Sequence, residues 1–312
     1  MSDTHAPHYE RLIERARQLP AATCAIAHPC DEASLGSALE AARLGLLAPI
    51  LVGPQRKIRE VAEHCGLDLT SIEIVDTPHS HASAAAAVER VRCGQASLLM
   101  KGSLHTDELM HEVVARDTGL RTGRRISHAF IMDVPTYPEP LFITDAAINI
   151  FPDLETKADI IRNVIELHLG LGLGTPRVAI LSAVEQVMPS IPGTIEAAAL
   201  CKMADRGQIV GGVLDGPLAL DNAISPEAAK VKGIVSPVAG RAQVLVVPDL
   251  EAGNMLAKNL TFLAGADAAG IVLGARVPII LTSRADSARS RLASCAVAMI
   301  YAHHLARTAP LL

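Results

Sequence analysis

Short apolar runs alternate with segments of helical periodicity along almost the whole chain. Thr23–Ala27 reads as a strand, and Asp31–Leu46 as a helix with Ala38, Ala41, Ala42 and Gly45 at helical spacing. Pro49–Val52 is the next strand, closed by Gly53-Pro54, and a helix follows to about Cys65. The rhythm continues through strand Ser71–Val75, helix Ser80–Cys93, strand Ser97–Met100 and helix Thr106–Arg116. Near-continuous apolar strands separated by helices of about 10–15 residues predict a parallel sheet covered on both faces, an α/β fold.

From Ile126 the rhythm changes. Ile126–Val134 and Pro140–Ile143 are two strand candidates joined by Pro135, Thr136, Tyr137 and Pro138, a turn-rich connection that suits no helix and is expected to be a domain seam. Alternation then resumes with helix Glu155–Leu169, strand Arg177–Leu181, helix Pro192–Arg206, strand Ala242–Val247, helix Glu251–Ala264 and strand Ala268–Val272. A last strand, Val277–Leu281, leads into an alanine-rich helix from Asp286 to His304. No fixed-period repeat or low-complexity linker separates the halves, so two domains packed across a cleft are expected.

Composition narrows the function classes. Of 312 residues 50% are apolar and 20% charged, ample for buried cores and opposite to the balance of a disordered chain. A net charge of −5, with Tyr 3, Phe 4 and Trp 0, argues against a nucleic-acid partner, which favours basic surfaces and stacking platforms. The best membrane candidate, Ala264–Leu281, is broken by Asp267, Arg276 and Pro278, so no membrane partner is expected. Asp3, Glu10, Glu14 and Arg15 precede any apolar run, unlike a secretory signal. Cys24, Cys30, Cys65, Cys93, Cys201 and Cys295 form no C-x-x-C pair, which predicts free thiols in a reducing cytoplasm and no metal site.

Several motifs carry candidate chemistry. Gly170-Leu-Gly-Leu-Gly174 follows a helix and precedes Thr175-Pro176 and a strand, the reverse of a dinucleotide fingerprint, and reads as a helix stop. There is no Walker A sequence and no G-x-S-x-G elbow. Thr282-Ser-Arg-Ala-Asp286 lies between a strand and a helix, where free N–H groups favour an anion and Arg284 offers a planar fork for phosphate. Capping by Ser283 or Asp286, with Arg284 solvated, is an equal alternative. Arg121, Arg124 and Arg125 make a basic loop, either a solvated turn or a polyanion contact, and Lys101-Gly102 ends a strand with the same two options. Asp215–Asp221 and Pro248–Asn254 each follow an apolar stretch, with Asp249 and Glu251 placed as cap and first-turn acid. Gly253 and Asn254 are poor helix formers there, from close ligand approach or from packing. His79, His81, His303 and His304 show no metal spacing and read as surface residues.

Taken together, Lys101-Gly-Ser, Leu120-Arg-Thr-Gly-Arg with Ser127-His128, Leu141-Phe-Ile-Thr-Asp145 with Asn149, Asp215–Asn222, Ser236–Gly240, Pro248–Asn254 and Leu281–Ser287 resemble the phosphate acetyl/butyryl transferase family. The resemblance covers roughly residues 95 to 300, and its detail looks closer to the butyryl branch. It implies a soluble, cytoplasmic enzyme that interconverts acyl-CoA plus phosphate with acyl phosphate plus CoA, without metal or bound cofactor. It further implies a homodimer and a fold similar to the isocitrate and isopropylmalate dehydrogenases, two α/β domains flanking a cleft. On that pattern the first domain is 1–137 plus 275–312 and the second 138–274.

Carried over residue by residue, Ser283 and Arg284 match the family's Ser-Arg pair at the acyl-phosphate site, with Asp286 beside them. Lys101, Thr106, Arg121, Arg124, Asp215, Asp249 and Asn254 are the expected substrate contacts. Two departures stand out. Met110 and His111 occupy the segment where acetyl-type enzymes carry an arginine. Beyond the Ser-Arg pair, Ser287, Ala288, Arg289, Ser290 and Arg291 replace the stretch that holds those enzymes' candidate thiol base. The implied mechanism is direct transfer in a ternary complex, with no acyl-cysteine. Two other classes stay open: a metal- and nicotinamide-dependent decarboxylating dehydrogenase using Asp215, Asp221 and Asp249, and an inactive CoA- or acyl-phosphate-binding regulator.

Overall fold

The computed structural model describes residues 7–283 and 286–308. The chain divides into two compact units, one formed by Tyr9–Arg124 with the segment from Ala269 onward, the other by Arg125–Ala268 with the described residues before Tyr9. The first unit opens with α1 (Pro7–Ala16), β1 (Ala22–Ala27), α2 (Glu32–Arg43), β2 (Leu47–Gly53), α3 (Gln55–His64), β3 (Glu73–Asp76), α4 (Ser80–Arg92), β4 (Leu98–Lys101) and α5 (Thr106–Val113). The second comprises β5 (Ser127–Asp133), β6 (Leu141–Thr144), α6 (Leu154–Gly170), β7 (Arg177–Leu181), α7 (Pro192–Asp205), β8 (Val213–Leu218), α8 (Leu220–Ile224), α9 (Pro226–Val231), β9 (Val244–Val246) and α10 (Leu250–Leu263). The chain then returns through β10 (Asp267–Leu273), β11 (Ile279–Ile280) and α11 (Ala288–Thr308).

Local chemistry sets these bounds. Asp31 N-caps α2 by accepting from the Ser34 N–H at 2.7 Å, and Leu35, Ala38 and Ala41 turn inward. Gly45, at φ +75°, then takes the chain out of the helix into β2. In the first unit the strands run in the order β3-β2-β1-β4-β11-β10. The pairs β3–β2, β2–β1, β1–β4 and β4–β11 are parallel. α11 is buried along most of its length, from Ser290 to Tyr301, as its small side chains allow.

In the second unit the order is β5-β6-β9-β7-β8, with β6, β9, β7 and β8 parallel. Its core gathers Met132, Ile143, Ala179, Leu218, Leu245 and Ala257.

The expected α/β fold is present, but its strand pairing is mixed: β10 pairs antiparallel with β11, and β5 with β6. Pro135–Pro138 is the turn of the β5–β6 hairpin, inside one unit. The Tyr137 N–H donates to the Val134 carbonyl at 2.9 Å, and its hydroxyl to the Ala242 carbonyl at 2.6 Å, stitching the turn to the approach of β9. By contact, the chain passes between units at Arg124/Arg125 and Ala268/Ala269, where the reading from sequence placed 137/138 and 274/275. Asp215 also differs from expectation. It lies inside β8, opposite Ala179, instead of following a strand. Gly216-Pro217 is compatible with a strand because β8 lies at the edge beside β7, and an edge strand tolerates the missing N–H of proline.

Candidate active site

β1 lies between β2 and β4, and the chain leaves β1 through α2 toward β2 while β4 stands on the other side. Loops therefore diverge at the carboxyl ends of β1 and β4, the place where open α/β sheets bind ligands. The two ends are locked together. The Gly102 N–H donates to the Ala27 carbonyl at 2.8 Å, and a Cβ at Gly102 would sit 2.4 Å from that oxygen and 2.5 Å from the His28 oxygen. Ser103 donates from both its N–H and its hydroxyl to the His28 carbonyl, at 2.9 and 2.8 Å.

His28 itself has φ +56°, the left-handed region that a non-glycine residue enters only when its surroundings impose it. Its Nδ1 lies 3.0 Å from the Ser83 hydroxyl, and burial, followed by the Lys57 charge, lowers its pKa. The sequence reading passed over His28. An apolar strand ending in His-Pro was visible, but the strand order that puts it at the switch point was not.

Lys101 ends β4 half-buried, its ammonium donating to the Gly102 and Leu104 carbonyls at 3.1 and 3.2 Å. Thr106 opens α5 from the same edge. β11 lies beside β4 and parallel to it, with Ile280 opposite Met100, so the segment after Leu281 emerges at the same carboxyl edge. Ser283 is exposed there, and Arg284 lies outside the described residues.

Asp286 turns back: its Oδ2 accepts from the Ser283 N–H at 2.6 Å, and its own N–H donates to the Ser283 carbonyl at 3.2 Å. The helix cap is Ser287, whose hydroxyl accepts from the Ser290 N–H at 3.0 Å, so neither Ser283 nor Asp286 caps α11. Burial raises the pKa of Asp286 against the opposing pull of the Ser283 N–H and of the Arg291 and Lys101 charges. Ser283, Asp286 and Lys101 thus share one edge of the first unit.

The arginine loop goes elsewhere in that unit. Arg121 bridges to Ala275, the Thr122 hydroxyl donates to the Gly274 carbonyl at 2.7 Å, and the Arg276 N–H donates to the Leu120 carbonyl at 2.9 Å. These partners form the β10–β11 turn, at the amino end of β11, so exposed Arg121 and Arg124 stand at the end of β11 opposite Ser283.

Asp215, Asp249 and Asn254 belong to the second unit. The Asp215 Oδ1 accepts from the Gly216 N–H at 2.9 Å, and Asp249 N-caps α10 through the Ala252 N–H at 2.8 Å. The choice left open at Gly253 falls to packing, because a Cβ there would meet Val247 at 2.8 Å and the Asp145 carbonyl at 2.9 Å. Asn254 donates to the Ala146 carbonyl at 3.3 Å across the same contact.

A cavity of about 410 Å³ in the first unit is lined by Cys30, Glu32, Lys57, Glu60, Val61, His64 and Cys65. Its two carboxylates make it a poor cradle for a polyanion. Among the described residues no group of three or more His, Cys, Asp or Glu side chains is arranged to hold a metal ion. No described helix is long and apolar enough to cross a membrane.

The family profile described as "Phosphate acetyl/butaryl transferase" matches residues 80–299, which include the end of β4, the arginine loop and the Ser283 turn. The chain belongs to the phosphate acetyl/butyryl transferase family. Among members of this family, a phosphate acetyltransferase of Rhizobium meliloti is 71% identical over 94% of this chain and 93% of its own length. A phosphate butyryltransferase of Clostridium beijerinckii is 40% identical over 95% and 98%. A solved phosphotransacetylase from Streptococcus pyogenes shares the fold with a TM-score of 0.81 at 23% identity, covering 97% of this chain and 99% of that one. A 4-hydroxythreonine-4-phosphate dehydrogenase from Burkholderia phymatum shares it more distantly, with a TM-score of 0.58 at 12% identity over 91% and 99%. The fold is thus shared with a dehydrogenase, which bears out the general α/β expectation.

Proposed function

We propose that this protein moves a short acyl group between CoA and inorganic phosphate, with acetyl preferred. The observation that carries the reading is the 71% identity, over 94% of the chain, to a protein named phosphate acetyltransferase. Identity near 40% does not separate the branches, since a phosphate acetyltransferase of Thermotoga maritima and the Clostridium butyryltransferase stand at 42% and 40%. The 71% relative moves the proposed acyl group from the butyryl that motif wording suggested to acetyl.

The chemistry is direct. The CoA thiolate, its proton released to solvent, attacks the acyl-phosphate carbonyl, the tetrahedral oxyanion collapses, and the carbon–oxygen bond to phosphate breaks; the reverse reaction runs the same steps backward. Ser283 donates its hydroxyl proton as a hydrogen bond to the oxyanion, Arg284 holds the phosphoryl oxygens with its fork, and Lys101 adds positive charge at the same edge. Thr106 and Asp286 complete that edge, whereas Asp215, Asp249 and Asn254 bond to the backbone of their own unit, at Gly216, Ala252 and Ala146.

A direct route is favoured over an acyl-cysteine. Burial pushes the Cys30 thiol up to about 11 and the Cys201 and Cys295 thiols up to about 12, leaving little thiolate at neutral pH. The dehydrogenase reading loses its carboxylate cluster: Asp215 bonds Gly216, Asp249 caps a helix, and Asp221 lies 3.9 Å from Lys232. A cytoplasmic homodimer needing no bound cofactor is part of the same proposal and rests on the family resemblance. Thiol release from acetyl-, propionyl- and butyryl-CoA at fixed phosphate tests it. The highest kcat/KM should fall on acetyl-CoA; phosphate-independent hydrolysis, or no turnover, contradicts the reading.

A further inference from the structure

Arg291 is a buried cation next to this turn to which no motif gave a role. It sits in the first turn of α11, 6% exposed, where an arginine is costly to hold unless its donors and charge are used. Its Nη2 donates to the Ser283 carbonyl at 3.1 Å, and its Nη1 lies 3.5 Å from the Ser37 hydroxyl of α2. Its backbone N–H donates to the Ser287 carbonyl at 3.1 Å, and its charge acts on Asp286. One side chain therefore links α2 and α11 to the loop that carries Ser283.

Ser283 and Asp286 are also joined by two local bonds, one from each backbone N–H. The guanidinium takes the Ser283 carbonyl from a different element and so ties Ser283 to α11. It also supplies a fixed positive charge that needs no reorganisation when negative charge develops nearby.

We propose that Arg291 is a positioning residue for acyl transfer, holding the Ser283 carbonyl so that the Ser283 hydroxyl stays aimed at the developing oxyanion. The proposal rests on the role given to Ser283 above. The titration of Asp286 gives it a second signature. Asp286 must be ionised to accept fully from the Ser283 N–H, and among the described residues the cations that act on it are Arg291 from α11 and Lys101 from β4. Removing Arg291 raises the Asp286 pKa further, so the turn should loosen at a higher pH.

The test compares Arg291→Met, which keeps length and loses charge and donors, with Arg291→Lys and Ser283→Ala. Thermal melts report folding, and kcat, the KM for acetyl-CoA and the kcat–pH profile report function. A misaimed group at a reacting centre costs about 10–100-fold, so kcat should fall by that much in Arg291→Met. The KM for acetyl-CoA should stay within about 3-fold, the rest of the substrate contacts being untouched. The acid limb of the profile should move to higher pH. Arg291→Lys should bring the limb back toward the parent while kcat stays reduced, and it carries the test if the Met variant melts below the assay temperature. A kcat within about 2-fold of the parent in the folded variants, or an unmoved acid limb, overturns the positioning role. If Ser283→Ala itself keeps parent activity, the assignment of Ser283 fails instead.

Discussion

His128 carries its imidazole inside the second unit, 1% exposed and edge-on to the Phe130 ring with centroids 4.5 Å apart. Burial pushes its pKa down to about 3, whereas the unfolded chain takes up the proton near about 6.5. A depressed pKa means that the fold binds neutral His128. Its contribution is present above about 6.5 and is lost as pH falls toward about 3, at up to about 1.4 kcal/mol per pH unit. Asp145, raised by burial, acts in the opposite sense. Between pH 7 and pH 5 the urea midpoint of the parent should fall, and the fall should be smaller in His128→Leu. Parallel declines in the two proteins would assign the acid sensitivity to other groups.

The role proposed for Arg284 turns on shape as well as charge. If the fork holds phosphate bidentately, Arg284→Lys should remain folded and lose about 10²–10³ in rate, because a point charge cannot copy two parallel donors. Near-normal turnover of that variant would return Arg284 to the solvated alternative.

At the scale of elements, the closeness of β1 and β4 is the feature that builds the site edge. Gly102→Ala would drive a Cβ to within 2.4 Å of a backbone oxygen that cannot yield, so the two strand ends must part. A loss of about 1–3 kcal/mol in stability is expected, together with lowered turnover. Gly36→Ala, inside α2 with nothing within 4 Å of the new Cβ, should instead stabilise by up to about 1 kcal/mol. Denaturation of the pair decides it, and equal effects would mean that the strand ends are slack.

What was legible at this scale follows from signal strength. α2 could be read because a cap, a periodic apolar face and a closing glycine agree. β8 could not, because Gly216-Pro217 carries a turn signature and only edge placement reconciles it with a strand. α8 and α9, of 5 and 6 residues, are shorter than a helical period needs to show itself. Pro135–Pro138 was correctly a turn, but turn chemistry does not say whether it joins two strands of one sheet or two units.

For the whole molecule, the α/β class and the family were legible from motif residues spread over the chain, and strand order was not. Strand order is what gathers Lys101, Ser283 and Asp286 onto one edge of the first unit and sends Arg121 and Arg124 to the β10–β11 turn. Periodicity reports which face of a strand is buried, but neighbours in the sheet depend on long-range pairing that no local pattern encodes. Acyl preference belongs to this scale as well, since about 1–3 kcal/mol per methylene lets one lining side chain reverse it.

The central claim is acyl transfer between CoA and phosphate at the Ser283 edge. Its most direct measurement is the initial rate of thiol release from acetyl-CoA by the purified protein, with and without inorganic phosphate, beside Ser283→Ala under the same conditions. Release should saturate with phosphate, vanish without it, and fall by about 10²-fold or more in the folded Ser283→Ala protein. Release that ignores phosphate, or a Ser283→Ala protein as fast as the parent, would contradict it.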